Sequence, residues 1–278
     1  MPSVNSKEDI QRAAELIAQA DALVVTAGAG MGVDSGLPDF RGRDGFWRAY
    51  PALGRERIEF TRIACPQSFM DWPERAWGFY GHRLALYRQT APHAGFDILR
   101  RWAGRMLQGG AVFTSNVDGH FQRAGFDADL VHECHGSIHH LQCLESCTSE
   151  IWPADAFLPE VDQDQCLLRN ALPRCPRCGG LARHNILMFG DFGWLDARER
   201  RQARALSQWL TQIERPVVIE LGAGTAVPSV RSFGHQVLLH WRARMVRINP
   251  REWAVPHAED VGLADGALAA LQALDALL

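Results

Sequence analysis

The chain lacks any apolar run approaching the ~20 residues that a membrane-crossing helix needs. Its N-terminus carries neither the basic region nor the apolar stretch of a secretory leader. There is no basic excess either: the formal net charge is −3 over 278 residues, which leaves no electrostatic footprint for nucleic acid. Repeats and low-complexity segments are missing. Seven cysteines cannot all pair and four of them are grouped, which argues against a disulfide framework and for metal in a reducing compartment. These absences lead us to expect a cytoplasmic globular protein without nucleic-acid or membrane partners. The length suits one large domain or a domain with an insert.

What is present is an alternation of strands and helices. The apolar, β-branched runs Ala22–Thr26, Gly110–Ser115 and Pro216–Leu221 read as buried parallel strands, and Met245–Asn249 is a fourth candidate. Each ends in small or polar residues: Ala27-Gly28, Asn116, Gly222-Ala223-Gly224 and Asn249. Ligands of open α/β sheets sit at the carboxyl ends of the strands, so these four endings are expected to share one site. Helices are expected over roughly residues 7 to 19, opened by a Ser6–Asp9 capping box, over Asp196–Ile213 and over Asp265–Leu278. The fold class is therefore α/β, with a Rossmann-like parallel-sheet domain made of residues 1–42, 100–138 and 186–278. Two segments break the alternation. Residues 43–99 are aromatic-rich, with an amphipathic pattern around Trp77–Arg88, and residues 139–185 hold the grouped cysteines. Together they are expected to form a smaller module, a helical insert plus a zinc-binding insert.

Cys143-x3-Cys147 is followed after 27 residues by Cys175-x2-Cys178-Gly-Gly. Two short-spaced pairs of this kind are the two knuckles of a four-thiolate zinc site, which leaves no open coordination position, so the ion is structural. Thr114-Ser-Asn-Val-Asp118-Gly119 places an amide and a carboxylate at the end of a strand. His132-Glu-Cys-His135-Gly136 adds an imidazole able to act as a general base near neutral pH. His132, His135, His139 and His140 also admit a second metal site, a weaker reading because nearby carboxylates are scarce.

Taken in order, these motifs resemble the sirtuins, NAD-dependent protein deacylases, along nearly the whole chain. Gly28-Ala29-Gly30 through Ser35-Gly-Leu-Pro-Asp39-Phe40-Arg41-Gly42 is similar to that family's cofactor loop, and Asn116 with Asp118 to its QNxD element. Glu133-x-His135-Gly136 is similar to the catalytic ELHG, the cysteine pairs to the zinc ribbon, Phe189-Gly190-Asp191 to FGE, and Asn249 to the asparagine that meets the adenosine half of NAD. The resemblance implies that Gly28, Ala29, Gly30, Asp39, Phe40, Arg41, Ser115, Asn116, Asp118, Gly222, Gly224 and Asn249 surround NAD. It implies catalytic roles for Asn116 and Asp118, which would hold the nicotinamide carboxamide, and for His135, which would deprotonate a ribose hydroxyl. Phe40 would exclude water and Arg41 would order the loop. Tyr80-Gly-His-Arg83 fits the spacing by which desuccinylase-type members recognise an acidic acyl chain, since positions i and i+3 share a helix face.

The chain also departs from the pattern. Gly32 stands where Ser is usual, Ser115 where Gln is, Asp191 where Glu is, and Phe96 where His is frequent. Gly222-Ala223-Gly224-Thr225 replaces GTS, Pro228 is displaced by one residue, and Phe192-Gly193-Trp194 replaces a common proline. Three readings stay open: a protein-lysine deacylase acting on acetyl- or succinyl-lysine, an ADP-ribosyltransferase or NAD hydrolase, and a non-catalytic NAD-sensing module.

Overall fold

The computed structural model describes residues 5–38 and 42–278, with the backbone alone for 42–44. In chain order the strands are β1 (Ala22–Ala27), β2 (Gly110–Thr114), β3 (Val131–Glu133), β4 (Gly136–Cys143), β5 (Ile151–Pro153), β6 (Val161–Asp162), β7 (Leu167–Leu168), β8 (Ala182–Ile186), β9 (Pro216–Leu221), β10 (Arg244–Ile248) and β11 (Val261–Leu263). Six of them form one sheet in the order β11-β10-β9-β1-β2-β3, and every neighbouring pair is parallel. The two edge strands, β3 and β11, are three residues long, too short to carry a period that a sequence pattern could reveal.

The central strands are buried on both faces, which is why they read as unbroken apolar runs. Alternation still sorts their side chains. Leu23 and Val25 of β1 join a core with Ala13 and Ile17 of the helix Lys7–Ala18, Phe96 and Leu99 of Ala94–Arg105, and Leu271 and Leu274 of Ala267–Asp275. Ala22 and Val24 face the opposite layer, against Leu206 and Trp209 of Ala197–Leu210 and Val230 and Val237 of Ser229–Trp241. The Ser6–Asp9 capping box opens the first helix as its sequence predicts.

A second core brings Phe46, Tyr50, Phe69, Trp77, Phe79 and Tyr80 together with Val117, Ile138, Ile186 and Met188. Its main helix, Pro73–Gln89, differs from the one-faced helix its sequence pattern predicts: Ala76, Trp77, Gly78, Phe79, Tyr80 and Gly81 are buried in succession. The middle of the helix is packed against the module over most of its circumference, so its polarity does not follow a single stripe. Antiparallel pairing gives the module its sheets, β5-β4-β8 and β6-β7. Because β4 starts at Gly136, only Cys134 and His135 separate the module's sheet from β3, the edge of the parallel sheet.

Candidate active site and metal centre

The sheet order places the ends of β10, β9, β1 and β2 side by side, so the four sequence-predicted endings do meet. The turns after β1 and β9 are knitted to each other by backbone bonds. Gly28 N donates to the Leu221 carbonyl at 2.9 Å, and Gly30 N to the Gly222 carbonyl at 3.1 Å. A side chain has no room here: a Cβ on Gly222, whose φ is +58°, would lie 2.4 Å from the backbone of Gly30. The chain after Gly28 then runs as a 3₁₀ turn over Ala29–Ser35, closed by Gly36, rather than as the α-helix of an ordinary dinucleotide fold.

Asn116 is bound tightly to this turn. Its backbone N–H donates to Thr114 Oγ1 at 3.0 Å, and its Nδ2 donates to the Gly28 carbonyl at 3.0 Å. Asp118 is buried; its Oδ1 accepts from His120 N at 2.9 Å, and its carbonyl meets His139 Nε2 at 2.8 Å. His135 lies half-buried beside them. Burial draws its pKa below the usual imidazole value, against the opposing effect of a hydrogen bond to the Ser115 backbone. Its Nε2 lies 3.4 Å from Ser229 Oγ, and its carbonyl accepts from Leu187 N at 2.9 Å. Gly136, at φ +78°, allows the Asn185 carbonyl to pass where a Cβ would sit 2.2 Å away.

Asn249 directly follows β10, beside the turn that leaves β9. It is 1% exposed. Nδ2 donates to the Ala223 carbonyl at 2.9 Å, while Oδ1 accepts from Arg251 N and Glu252 N, both at 3.0 Å. Its side chain therefore shapes the Gly222–Gly224 turn from behind. Asp39, Phe40 and Arg41 lie outside the described residues.

On the module side, Leu187–Trp194 starts at the His135 contact and is tied to Ala64 by Phe189 N at 3.0 Å. A pocket of about 440 Å³ opens between this segment and Cys65–Met70. Asp191 pairs with Arg183 through two 2.8 Å bonds, a link no sequence signal pointed to because Arg183 belongs to no motif. Tyr80 is enclosed, stacked at 5.6 Å on Phe69. Arg83 lies on the same side of the helix, 5.8 Å from the Tyr80 ring, and donates from Nε and Nη2 to the Tyr87 hydroxyl at 3.0 and 2.8 Å.

The sulfur atoms of Cys143, Cys147, Cys175 and Cys178 all lie within 4.8 Å of one another. The pairs Cys143–Cys178 and Cys147–Cys175 are 3.7 and 3.6 Å apart. A tetrahedral zinc with bonds of ~2.3 Å sets its sulfurs about 3.8 Å apart, so the four thiolates fit one such ion. The histidines diverge instead: His132 Nε2 meets Glu199 at 2.6 Å and His139 meets Asp118. Among the described residues the four cysteines are the cluster whose ligand atoms converge. Burial pushes two of the three remaining thiols, Cys134 and Cys166, up to about 12, which keeps both protonated and inert.

Residues 28–222 match the model of the Sir2 family. An NAD-dependent protein deacylase of Aquifex aeolicus (strain VF5) is 29% identical over 250 residues, covering 90% of this chain and 92% of that protein. A Fusarium oxysporum f. sp. cubense protein named a probable bifunctional ADP-ribose hydrolase/ADP-ribosyltransferase is 29% identical over 272 residues, 91% of this chain and 44% of its own. Among solved structures, a Sir2 homologue–NAD complex is 25% identical, covers 96% of this chain and 93% of its own, and superposes with a TM-score of 0.73. With the parallel sheet, the backbone-lined turns and the four-thiolate cluster in place, this chain belongs to the Sir2 family.

Proposed function

We propose that this protein is an NAD-dependent protein-lysine deacylase, producing free lysine, nicotinamide and O-acyl-ADP-ribose. One observation carries the reading: Asn116 Nδ2 is bonded to the Gly28 carbonyl, and His135 follows the neighbouring strand β3 by two residues, so amide, base and glycine turn lie at the same end of the sheet. Bound NAD would supply an electrophilic anomeric carbon and a ribose hydroxyl to carry the acyl group away. The Gly28–Gly30 and Gly222–Gly224 backbones suit a diphosphate, since no side chain separates them. Asn116 and Asp118 hold the nicotinamide carboxamide. His135 is kept neutral at pH 7 by its burial, and it takes the proton of the ribose hydroxyl. Phe40 and Arg41 keep the water-excluding and loop-ordering roles that the family resemblance implies. The cysteines hold one structural zinc, and their reduced state suits the cytoplasm.

The test is an incubation with NAD and acetyl-, succinyl- and unmodified lysine peptides, read by mass spectrometry. Lys7 is the only lysine in the chain, so acyl-lysine signals come from the peptide. Wild-type protein is expected to form O-acyl-ADP-ribose, and His135→Ala to lower that rate by about 10²–10⁴, the usual contribution of a general base. Nicotinamide release without deacylation would replace this reading by ADP-ribosyl transfer or NAD hydrolysis, the class named for the Fusarium relative. An unaltered rate in His135→Ala would remove the base assignment.

Acyl choice is assigned to Arg83, the cation of the aromatic group formed by Phe79, Tyr80 and Tyr87. A carboxylate-ended chain gains a charge-assisted bond there. Arg83→Met is expected to cut the succinyl-to-acetyl ratio of kcat/KM at least about tenfold, from a bond of ~1.5–3 kcal/mol. Equal losses on both substrates would show that Arg83 only braces the helix.

A further inference from the structure

The loop that leaves β9 brings one more group to the base. The segment Thr225–Pro228 is exposed, and the helix Ser229–Trp241 begins directly after it. Ser229 is therefore the first helical residue, and the packing of the helix's first turn fixes its position. Val230 is 1% exposed in the core beneath the sheet. Phe233 stacks on Phe113 of β2, with ring centroids 4.1 Å apart and planes 5° from parallel. Residues 229 and 233 share a helix face at i and i+4. The stack at Phe113 thus aims Ser229 toward the carboxyl end of β2, where Ser115 lies. His135, two residues beyond the neighbouring strand β3, lies at the same end of the sheet.

We infer that Ser229 is the positioning residue of the base: its hydroxyl, 3.4 Å from His135 Nε2, holds the neutral ring with its lone pair on that nitrogen. This rests on the deacylase reading for its consequence, though not for its geometry. The Leu187 N bond to the His135 carbonyl and the Ser229 contact to its ring then hold the residue from two elements, the segment after β8 and the start of a helix on the opposite layer. In the neutral ring with its proton on Nδ1, Nε2 presents a lone pair and the serine hydroxyl turns to donate to it. The contact is long for a hydrogen bond and correspondingly weak. A substrate hydroxyl can therefore displace it and hand its proton to the same nitrogen.

The test compares wild type, Ser229→Ala, Ser229→Thr and His135→Ala in two measurements. The first is an NMR titration of the imidazole signals, with the His135 signal identified by its loss in His135→Ala. A bond donated to the neutral ring holds its pKa down, so Ser229→Ala is expected to raise the His135 pKa and Ser229→Thr to restore it. An unchanged or lowered value overturns the inference whether or not the protein deacylates peptides. The second separates the chemical steps. Exchange of labelled nicotinamide into NAD, in the presence of acyl peptide, precedes the need for a base; O-acyl-ADP-ribose formation comes after it. Ser229→Ala is expected to leave exchange within about twofold and to slow ester formation about tenfold, the scale of one neutral hydrogen bond. The acid limb of the ester-forming rate should move to higher pH. Equal losses in both steps would make Ser229 a structural residue and overturn the proposal. Failure of the wild type to form any ester would instead remove the deacylase reading, with the titration still deciding Ser229.

Discussion

Asp191→Ala is expected to destabilise the folded protein by about 3–5 kcal/mol, the cost of leaving a buried charge without its partner. The side chains of Arg183 and Asp191 are 1% and 0% exposed. Both guanidinium Nη atoms donate to the carboxylate at 2.8 Å, and the same oxygens accept from Met188 N at 3.3 Å and Gly193 N at 3.1 Å. Arg183 Nη1 reaches the Ile186 carbonyl at 3.3 Å, but its Nε has no hydrogen-bond partner. Removing the carboxylate therefore strands a guanidinium that is already under-satisfied. Asp191→Asn keeps the shape and loses the charge, and should fall between wild type and alanine. The double change Arg183→Met with Asp191→Ala should recover part of the loss, because an apolar pair of similar volume needs no partner. Urea unfolding read by tryptophan fluorescence measures all four; a loss below about 1 kcal/mol for Asp191→Ala would mean that water reaches the arginine.

That ion pair also explains one departure from the family pattern. Asp191 is shorter than the usual glutamate, yet it is wholly occupied by Arg183 and two backbone amides. The carboxylate works inward, fixing the segment Leu187–Trp194 between Ala64 and His135. Phe192 on the same segment is fully exposed, so the link lies beneath an open surface. We expect the peptide KM to rise with Asp191→Ala before nicotinamide chemistry is affected.

The central sheet is legible in the sequence because its strands are buried on both faces and end in residues that cannot continue a strand. Ala22–Ala27 and Pro216–Leu221 match their expected runs within one residue, and Arg244–Ile248 emerges from a weaker pattern one residue earlier. The edge strands β3 and β11 escape because three residues span barely one period. The helix Pro73–Gln89 reads as one-faced in sequence, since Trp77 through Gly81 look like a mixed stripe only while the surrounding module is unknown.

For the site, residue type at fixed spacing carries Cys143, Cys147, Cys175 and Cys178, and motif order carries Asn116, Asp118 and His135. What sequence order cannot express is which polar groups are spent within the protein. Asn249 stands at the expected strand end, and its amide ties Ala223 to Arg251 and Glu252. Ser229 and Arg183 belong to no motif; each acquires meaning only when a distant element folds against it.

Loss of the metal is expected to have the widest effect, because in a four-thiolate site the binding free energy is folding free energy. Cys143 ends β4, the strand whose first residue, Gly136, comes directly after His135. Cys175 and Cys178 precede β8, which pairs with β4 from Cys143–Ala182 to Gly136–Ile186. The two knuckles thus close the far end of the sheet whose near end carries the base. Within the second knuckle, Cys175 N donates to the Gly180 carbonyl at 2.7 Å, and Gly180 N lies 3.4 Å from Cys178 Sγ, a donor that favours the thiolate. Without an ion, four thiols packed within 4.8 Å lose the charge that orders them. Purified protein should carry about one zinc per chain. Treatment with a strong chelator, or Cys175→Ser, should lower the melting temperature by more than about 10 °C and abolish turnover, since several kcal/mol are lost where each shifts Tm by roughly 2–4 °C. The parallel sheet has its own core, so NAD protection of that sheet, read by hydrogen exchange over β1 and β9, should outlast the loss of deacylation. If chelated protein kept its melting temperature and its rate, the cysteine cluster would be a surface ornament and β4 would be held by Leu141, Ile138 and their neighbours alone.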